Sequence, residues 1–132
     1  MTHPDAGEYG FSWIVTQQDG VAVLSATGDL DLASAAEFRR GLSEATSGGR
    51  PPLVVADLGG VEFCDSSGLN ALIQAANAVE AAGGRLVLSG LRPRVARLLR
   101  VTGLDRRFHA ADDVAAAASV ATGSGEARTS CA

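Results

Sequence analysis

The sequence contains no lysine, only two cysteines, and no apolar run long enough to cross a membrane. Without lysine there can be no Walker A phosphate-binding motif, which requires a Lys followed by Ser or Thr. Cys64 and Cys131 fit neither a disulfide framework nor a Cys/His zinc spacing, so we expect no metal and a buried free thiol at Cys64. The chain also lacks the charged-then-apolar opening of a secretory signal peptide. We therefore expect a cytoplasmic protein without a membrane segment.

The motifs of common enzyme classes are missing as well. The sequence has neither the Gly-x-Gly-x-x-Gly of a dinucleotide-binding loop nor the Gly-x-Ser-x-Gly of a hydrolase nucleophile elbow. A nucleophilic serine needs a neighbouring base. The two histidines, His3 and His109, lie in a polar N-terminal segment and in a predicted edge strand. We therefore expect a protein that is not an enzyme and binds no cofactor.

Length and charge limit the remaining possibilities. A chain of 132 residues, 46% of them hydrophobic, can bury one core and corresponds to one domain. We place that domain at residues 11–121 and expect residues 1–10 and 122–132, which are small and polar, to be loose. The net charge of −4 disfavours nucleic acid and anionic membranes as partners. We interpret the arginines of one predicted helix, Arg92, Arg94, Arg97 and Arg100, as a solvated face.

Hydrophobic periodicity predicts alternating strands and helices. Two β-rich runs flank Asp19-Gly20, a pair typical of a two-residue hairpin turn. The first helix should carry an apolar stripe and be capped by Asp31. We assign to that stripe Leu32, Ala35, Phe38, Leu42 and Ala45.

The rest of the chain continues the alternation. Leu53–Leu58 is almost wholly apolar, as expected for a central strand covered on both faces. The later elements are a helix with its buried face from Leu69 to about Ala82, the strand Arg85–Ser89, a helix beginning near Pro93, an edge strand over Arg106–Ala110, and a last helix capped by Asp112 or Asp113. This order predicts an α/β fold. An opening hairpin followed by βα units should give a mixed sheet of about five strands, with about four helices packed against it.

The segment Phe63-Cys64-Asp65-Ser66-Ser67-Gly68-Leu69 joins the central strand to the second helix. Its two hydroxyls lie at a helix start, where unpaired N–H groups and the helix dipole accommodate an anion. A phosphoryl group on a serine could be held there without unfolding the chain. Asp29 and Asp31 follow a neighbouring strand, so their loop should converge on the same edge of the sheet. Either Asp65 or Ser66 can cap the second helix. The pattern leaves open whether the carboxylates cap helices, contact a partner, or do both.

This segment, with Gly28-Asp29-Leu30-Asp31 before it and Gly83-Gly84-Arg85-Leu86-Val87-Leu88 after it, resembles the STAS domain of bacterial anti-sigma factor antagonists. The resemblance covers about residues 11–120. It implies a protein that binds an anti-sigma factor, itself a serine kinase of the GHKL ATPase type, and so frees a sigma factor. It also implies that the kinase phosphorylates Ser66, the first serine after the aspartate, which abolishes binding. A PP2C-type phosphatase would restore it.

The resemblance also implies where the partner binds. The family's Gly-x-Leu-Asp loop, here Gly28–Asp31, lies near the modified serine at the partner surface. The implied partner-binding set is Gly28, Asp29, Asp31, Asp65, Ser66, Ser67, Gly68 and Leu69. An alternative from another class is a STAS-type accessory subunit of a lipid-transport or transporter ATPase complex, in which the serine loop docks on the ATPase.

Overall fold

The computed structural model describes residues 10–123. The expectations for residues 1–9 and 124–132, including His3 and Cys131, lie outside the described residues. The strands are β1 (Ser12–Gln18), β2 (Val21–Thr27), β3 (Leu53–Gly60), β4 (Arg85–Ser89) and β5 (His109–Ala111). The helices are α1 (Ala35–Thr46), α2 (Ser66–Ala81), α3 (Pro93–Val101) and α4 (Val114–Ala121). The predicted α/β fold, with its five strands and four helices, is confirmed.

The five strands form one mixed sheet in the order β1-β2-β3-β4-β5. The β1–β2 pair is antiparallel and the other three pairs are parallel. Asp19 and Gly20, with φ values of 53° and 82°, connect the paired residues Gln18 and Val21. Two positive φ values in a two-residue loop are those of a type I′ turn, so the Asp-Gly hairpin prediction is confirmed.

Helices cover both faces of the sheet. On one face α1, α2 and α3 form the larger core, to which Phe38, Leu72 and Leu99 contribute. On the other face α4 packs through Ala117 and Val120 onto a smaller cluster of strand valines. Strand β3 runs between the two layers, and its Val54, Val55 and Ala56 are wholly buried, as predicted for the central strand.

Helix α1 begins later than its sequence pattern indicated. Its first residue is Ala35 and its N-cap is Ser34, so the prediction that Asp31 caps this helix is wrong. The Asp31 Oδ1 atom instead accepts a hydrogen bond from the backbone N–H of Ser34 at 3.1 Å. The Ser34 hydroxyl donates to the carbonyl of Asp29 at 2.6 Å. These bonds close a compact turn ahead of the helix, because short polar side chains compete with helix geometry for backbone groups.

That turn also changes the position of Leu32, which is 80% exposed. The prediction that Leu32 belongs to the buried stripe of α1 is wrong. The other four members of the stripe, Ala35, Phe38, Leu42 and Ala45, are all buried. The predicted helical spacing of buried residues is therefore correct from Ala35 onwards. It is wrong only in the turn that precedes the helix.

The predicted helix ends are largely confirmed. Helix α2 stops before Gly83, whose φ is +80°, and the N–H of Gly84 bonds to the carbonyl of Val79 at 2.8 Å. This is the Schellman arrangement that glycine favours. Asp113, one of the two predicted caps, accepts from the N–H of Ala116 at 2.8 Å at the start of α4. Strand β5 begins later than predicted, because a 3-10 turn occupies Leu104–Arg106. Within residues 10–123 no helix combines the length and apolar character needed to cross a bilayer.

Candidate functional site

Two loops meet at the carboxyl ends of β2 and β3. The N–H of Leu30 donates to the carbonyl of Phe63, and the N–H of Asp65 donates to the carbonyl of Leu30, both at 2.9 Å. Leu30 and Cys64 thus form a parallel bridge beyond the two strands. The side chain of Leu30 is wholly buried and anchors the pair. The prediction that the acidic loops converge on one edge of the sheet is confirmed.

Asp65 determines where helix α2 starts. It has an extended backbone and acts as the N-cap, with its Oδ1 atom accepting from the N–H of Ser67 at 2.8 Å and of Gly68 at 3.3 Å. Of the two cap candidates, Asp65 is therefore the cap and Ser66 is the first residue of the helix. The side chain of Ser66 is exposed and that of Ser67 is half-buried. The first hydroxyl after the aspartate therefore lies at the protein surface.

Gly68 allows the helix to approach the loop pair closely. A Cβ atom at this position would lie 2.8 Å from the sulfur of Cys64 and 3.0 Å from the Cβ of Leu30. A side chain here would force Cys64 or Leu30 to shift, so glycine favours the close approach. Leu69 is buried in the larger core and fixes the first turn from below. Gly68 and Leu69 thus position the serines from inside the protein.

The structure places the eight predicted partner-binding residues in three environments. Asp29 and Ser66 are exposed, Gly68 and Leu69 are buried, and the half-buried residues are Gly28, Asp31, Asp65 and Ser67. Two of the eight therefore support the surface without forming much of it.

Cys64 lies under the same loop pair with 6% of its surface exposed. Burial, and secondly the charge of adjacent Asp65, raise the pKa of its thiol to about 12. A thiol reacts as its thiolate, so Cys64 is inert at neutral pH. The expectation of a buried free thiol at this position is confirmed.

An open apolar groove of about 790 Å³ lies between α1 and α2, and Ser66 is part of its lining. Its walls are Leu32, Ala35, Ala36 and Arg39 on the α1 side, Ser66, Ser67, Leu69, Asn70 and Ile73 on the α2 side, and Thr102 and Leu104 after α3. Two large apolar side chains are exposed near the serine: Leu32 in the groove and Phe63, 40% exposed, in the serine loop. Sequence reasoning missed this groove because it assigned Leu32 to the core.

A second, more polar depression lies between the loop pair and α3, with Asp29, Phe63 and Arg94 among its lining. Arg92 fastens α3 to this region. Its Nε donates to the carbonyl of Gly59 at 2.8 Å, and its Nη1 lies 3.6 Å from the carboxylate of Glu62. Arg94, Arg97 and Arg100 are exposed, as the interpretation of a solvated face requires.

The arrangement provides no serine–histidine pair among residues 10–123. His109 pairs with Val87 in the sheet, and Val87 belongs to the cluster under α4. Neighbouring residues on parallel strands point to the same face, so His109 faces α4, whereas α2 and its serines lie on the opposite face. Within the same range no three His, Cys, Asp or Glu side chains are grouped closely enough to hold a metal ion.

Comparison with known proteins agrees with this geometry. The family model of the STAS domain matches residues 12–117. The anti-sigma-F factor antagonist RsfB of Mycobacterium tuberculosis is 34% identical over 111 residues, which are 82% of this chain and 84% of that protein. A crystal structure of an anti-sigma factor antagonist from Mycobacterium paratuberculosis has a TM-score of 0.78 at 25% identity, over 89% of this chain and 98% of that one.

A more distant neighbour is the Bacillus cell fate determinant SpoIIAA in its phosphorylated form. Its TM-score is 0.58 at 22% identity, over 75% of this chain and 90% of that one, a likeness that shows the fold. The matched STAS model spans most of the chain, and RsfB is similar over most of its length. The chain therefore belongs to the STAS-domain family of anti-sigma factor antagonists.

Proposed function

We propose that this protein binds an anti-sigma factor of the GHKL serine-kinase type in the cytoplasm and so releases that factor's sigma factor. Phosphorylation of Ser66 switches the binding off, and a PP2C-type phosphatase restores it. The observation that carries the proposal is the position of Ser66. It is an exposed hydroxyl on the first turn of α2, in the lining of an apolar groove. The name of RsfB, an anti-sigma-F factor antagonist, supports the class of partner.

The surface around Ser66 suits protein binding. Exposed apolar side chains surrounded by polar groups are typical of contact sites. Leu32 and Phe63 supply the apolar part, and Asp29 in the adjoining loop is an exposed charge at the rim. The bridge between the two loops and the close packing of Gly68 hold these groups in place before any partner arrives. A preformed surface loses little entropy on binding.

A phosphate on Ser66 would act mainly through its charge. Phosphoserine carries about −1.5 to −2 charges at neutral pH. Two unit charges about 4 Å apart interact by about 4 kcal/mol at an effective dielectric of 20, and salt reduces this at an open rim. A change of about 1.4 kcal/mol corresponds to a tenfold change in affinity. For a partner that presents a carboxylate or an apolar patch to Ser66, phosphorylation would therefore lower the affinity by about a hundredfold or more.

Incubation with the partner kinase and ATP, followed by peptide mass spectrometry, tests the assignment. We expect one phosphate, on Ser66. Ser66→Ala should abolish the modification, whereas Ser67→Ala, which removes the adjacent hydroxyl, should leave it intact. Phosphate on Ser67, or none with a kinase that binds the protein, would refute the assignment. Recovery of an ABC-type ATPase instead of a kinase in a pull-down would favour the accessory-subunit alternative.

A further inference from the structure

One cationic side chain lies in the same groove as Ser66. Among the described residues that line the groove, Arg39 of α1 is the one that carries a charge. Its Nε donates to the Oε1 atom of Gln74 on α2 at 3.3 Å, in an exposed position. This is a long hydrogen bond to a neutral acceptor, of a kind that contributes little to stability. The guanidinium is therefore free to exchange its partner at low cost.

Apart from Arg39, none of the described residues that line the groove offers a counter-charge to a phosphate on Ser66. The carboxylate of Asp65 already accepts the N–H groups of Ser67 and Gly68 in the first turn of α2. The same carboxylate would repel the phosphate. The helix N-terminus therefore has fewer free N–H groups for a phosphate at this position than an uncapped helix would have. The phosphate dianion thus needs a cation from another part of the protein.

We propose that Arg39 is the residue that binds the phosphate on Ser66. The inference rests on the proposed function in one respect, since it takes Ser66 to be the modified residue. On phosphorylation the guanidinium leaves Gln74 and turns along the groove, past Asn70, towards the phosphate. The guanidinium exchanges a long hydrogen bond to the Gln74 amide for a charge-assisted, bidentate contact with the phosphate. Arginine suits this contact because its planar guanidinium matches the geometry of a phosphate group.

This contact would add a second element to the switch. An arginine held near Ser66 lies over the apolar walls of the groove, which include Leu32 and Ile73. The phosphorylated protein then presents a covered groove as well as a new negative charge. The off state would be built from residues of this chain alone and would exist before any partner is encountered.

The test uses the full chain with phosphoserine introduced at position 66 during translation, so that neither kinase nor partner is needed. A 31P NMR titration gives the second pKa of the phosphate, which is about 6 without a neighbouring charge. A nearby cation favours the dianion and lowers this pKa. We expect Arg39→Gln to raise it by about half a unit or more relative to wild type, and Arg39→Lys to raise it by less.

Arg40→Gln is the matched control. It removes the same charge from the same helix, but Arg40 does not line the groove and pairs with Glu37 at 3.0 Å. We expect it to leave the phosphate pKa unchanged. Equal pKa values in wild type and Arg39→Gln would overturn the proposal, and so would an equal rise in both glutamine variants, because net charge alone would explain it. If the kinase modifies another residue, the proposed function is wrong. The titration of a phosphate placed at position 66 would still test whether Arg39 binds it.

Discussion

At the scale of single residues, the cap of α2 and the proposed modification site are two neighbouring residues. Asp65 is the N-cap of α2 and bonds to two backbone N–H groups. Ser66, the next residue, is exposed and is not the cap. A side chain whose hydrogen bonds support the fold cannot easily be modified. Because Asp65 caps the helix, the side chain of Ser66 is not needed as a cap. We infer that the aspartate before the serine keeps the hydroxyl available to a kinase.

This division predicts different stabilities for two alanine variants. Asp65→Ala should lower the free energy of unfolding by about 1 kcal/mol, because the cap bonds are lost. Ser66→Ala should change it by less than about 0.5 kcal/mol, as at an ordinary surface site. Asp29→Ala is the control, since it removes an exposed carboxylate from the adjoining loop without removing a cap. Urea unfolding of the three variants measures the differences. Equal destabilisation by Asp65→Ala and Asp29→Ala would contradict a stabilising role for the Asp65 cap.

At the scale of elements, the groove is a product of how α1 meets α2. The turn at Asp31–Ser34 leaves Leu32 outside the helix, on the rim of the groove. The first turn of α2 brings Ser66 to the same place. Neither helix alone forms a binding surface. Their packing, fixed by the loop pair beneath, places an apolar side chain beside the exposed hydroxyl.

Leu32 should therefore contribute to partner binding and little to folding. Burying a leucine side chain is worth about 1.5–3 kcal/mol. Leu32→Ala should thus weaken the complex with the anti-sigma factor by about tenfold or more, while the melting temperature stays close to that of wild type. Val101→Ala is the matched control, because Val101 is 75% exposed on α3 and does not line the groove. Binding titrations that show equal affinities for the two variants would exclude the groove as the contact site.

The elements themselves were largely predictable from sequence, because their signals are local. The Asp-Gly pair specifies the hairpin, the apolar run specifies β3, and Gly83 ends α2. Asp65 was recognisable as one of two cap candidates for the same reason. The start of α1 was not predictable, since Asp31 could cap a helix or close a turn, and its bond to Ser34 decides for the turn.

The groove could not be predicted from the sequence, for a different reason. Arg39 looks like any exposed residue on the polar side of a helix, and only the packing of α1 against α2 brings it to the groove that holds Ser66. Periodicity gives the buried face of each helix but not the angle or register at which two helices meet. Sites formed between elements therefore emerge only with the tertiary structure.

At the scale of the whole molecule, the site is closely packed into the fold, and the proposed switch needs no rearrangement of that fold. The loop pair is tied into the sheet by a parallel bridge, and Gly68 packs without spare room against Cys64. A charge at the start of α2 meets the favourable end of the helix dipole, worth about 0.3–1 kcal/mol, and Asp65 offsets part of that by repulsion. Phosphorylation should thus change the surface and leave the core intact.

Calorimetry can measure the affinity of the anti-sigma factor for the protein with and without phosphoserine at position 66. These two affinities describe the two states of the proposed switch. We expect tight binding of the unmodified chain and a loss of about a hundredfold or more on phosphorylation. The melting temperatures of the two forms should remain within a few degrees of each other. Equal affinities, or a loss of binding that accompanies a large fall in melting temperature, would contradict a switch that acts through the surface charge at Ser66.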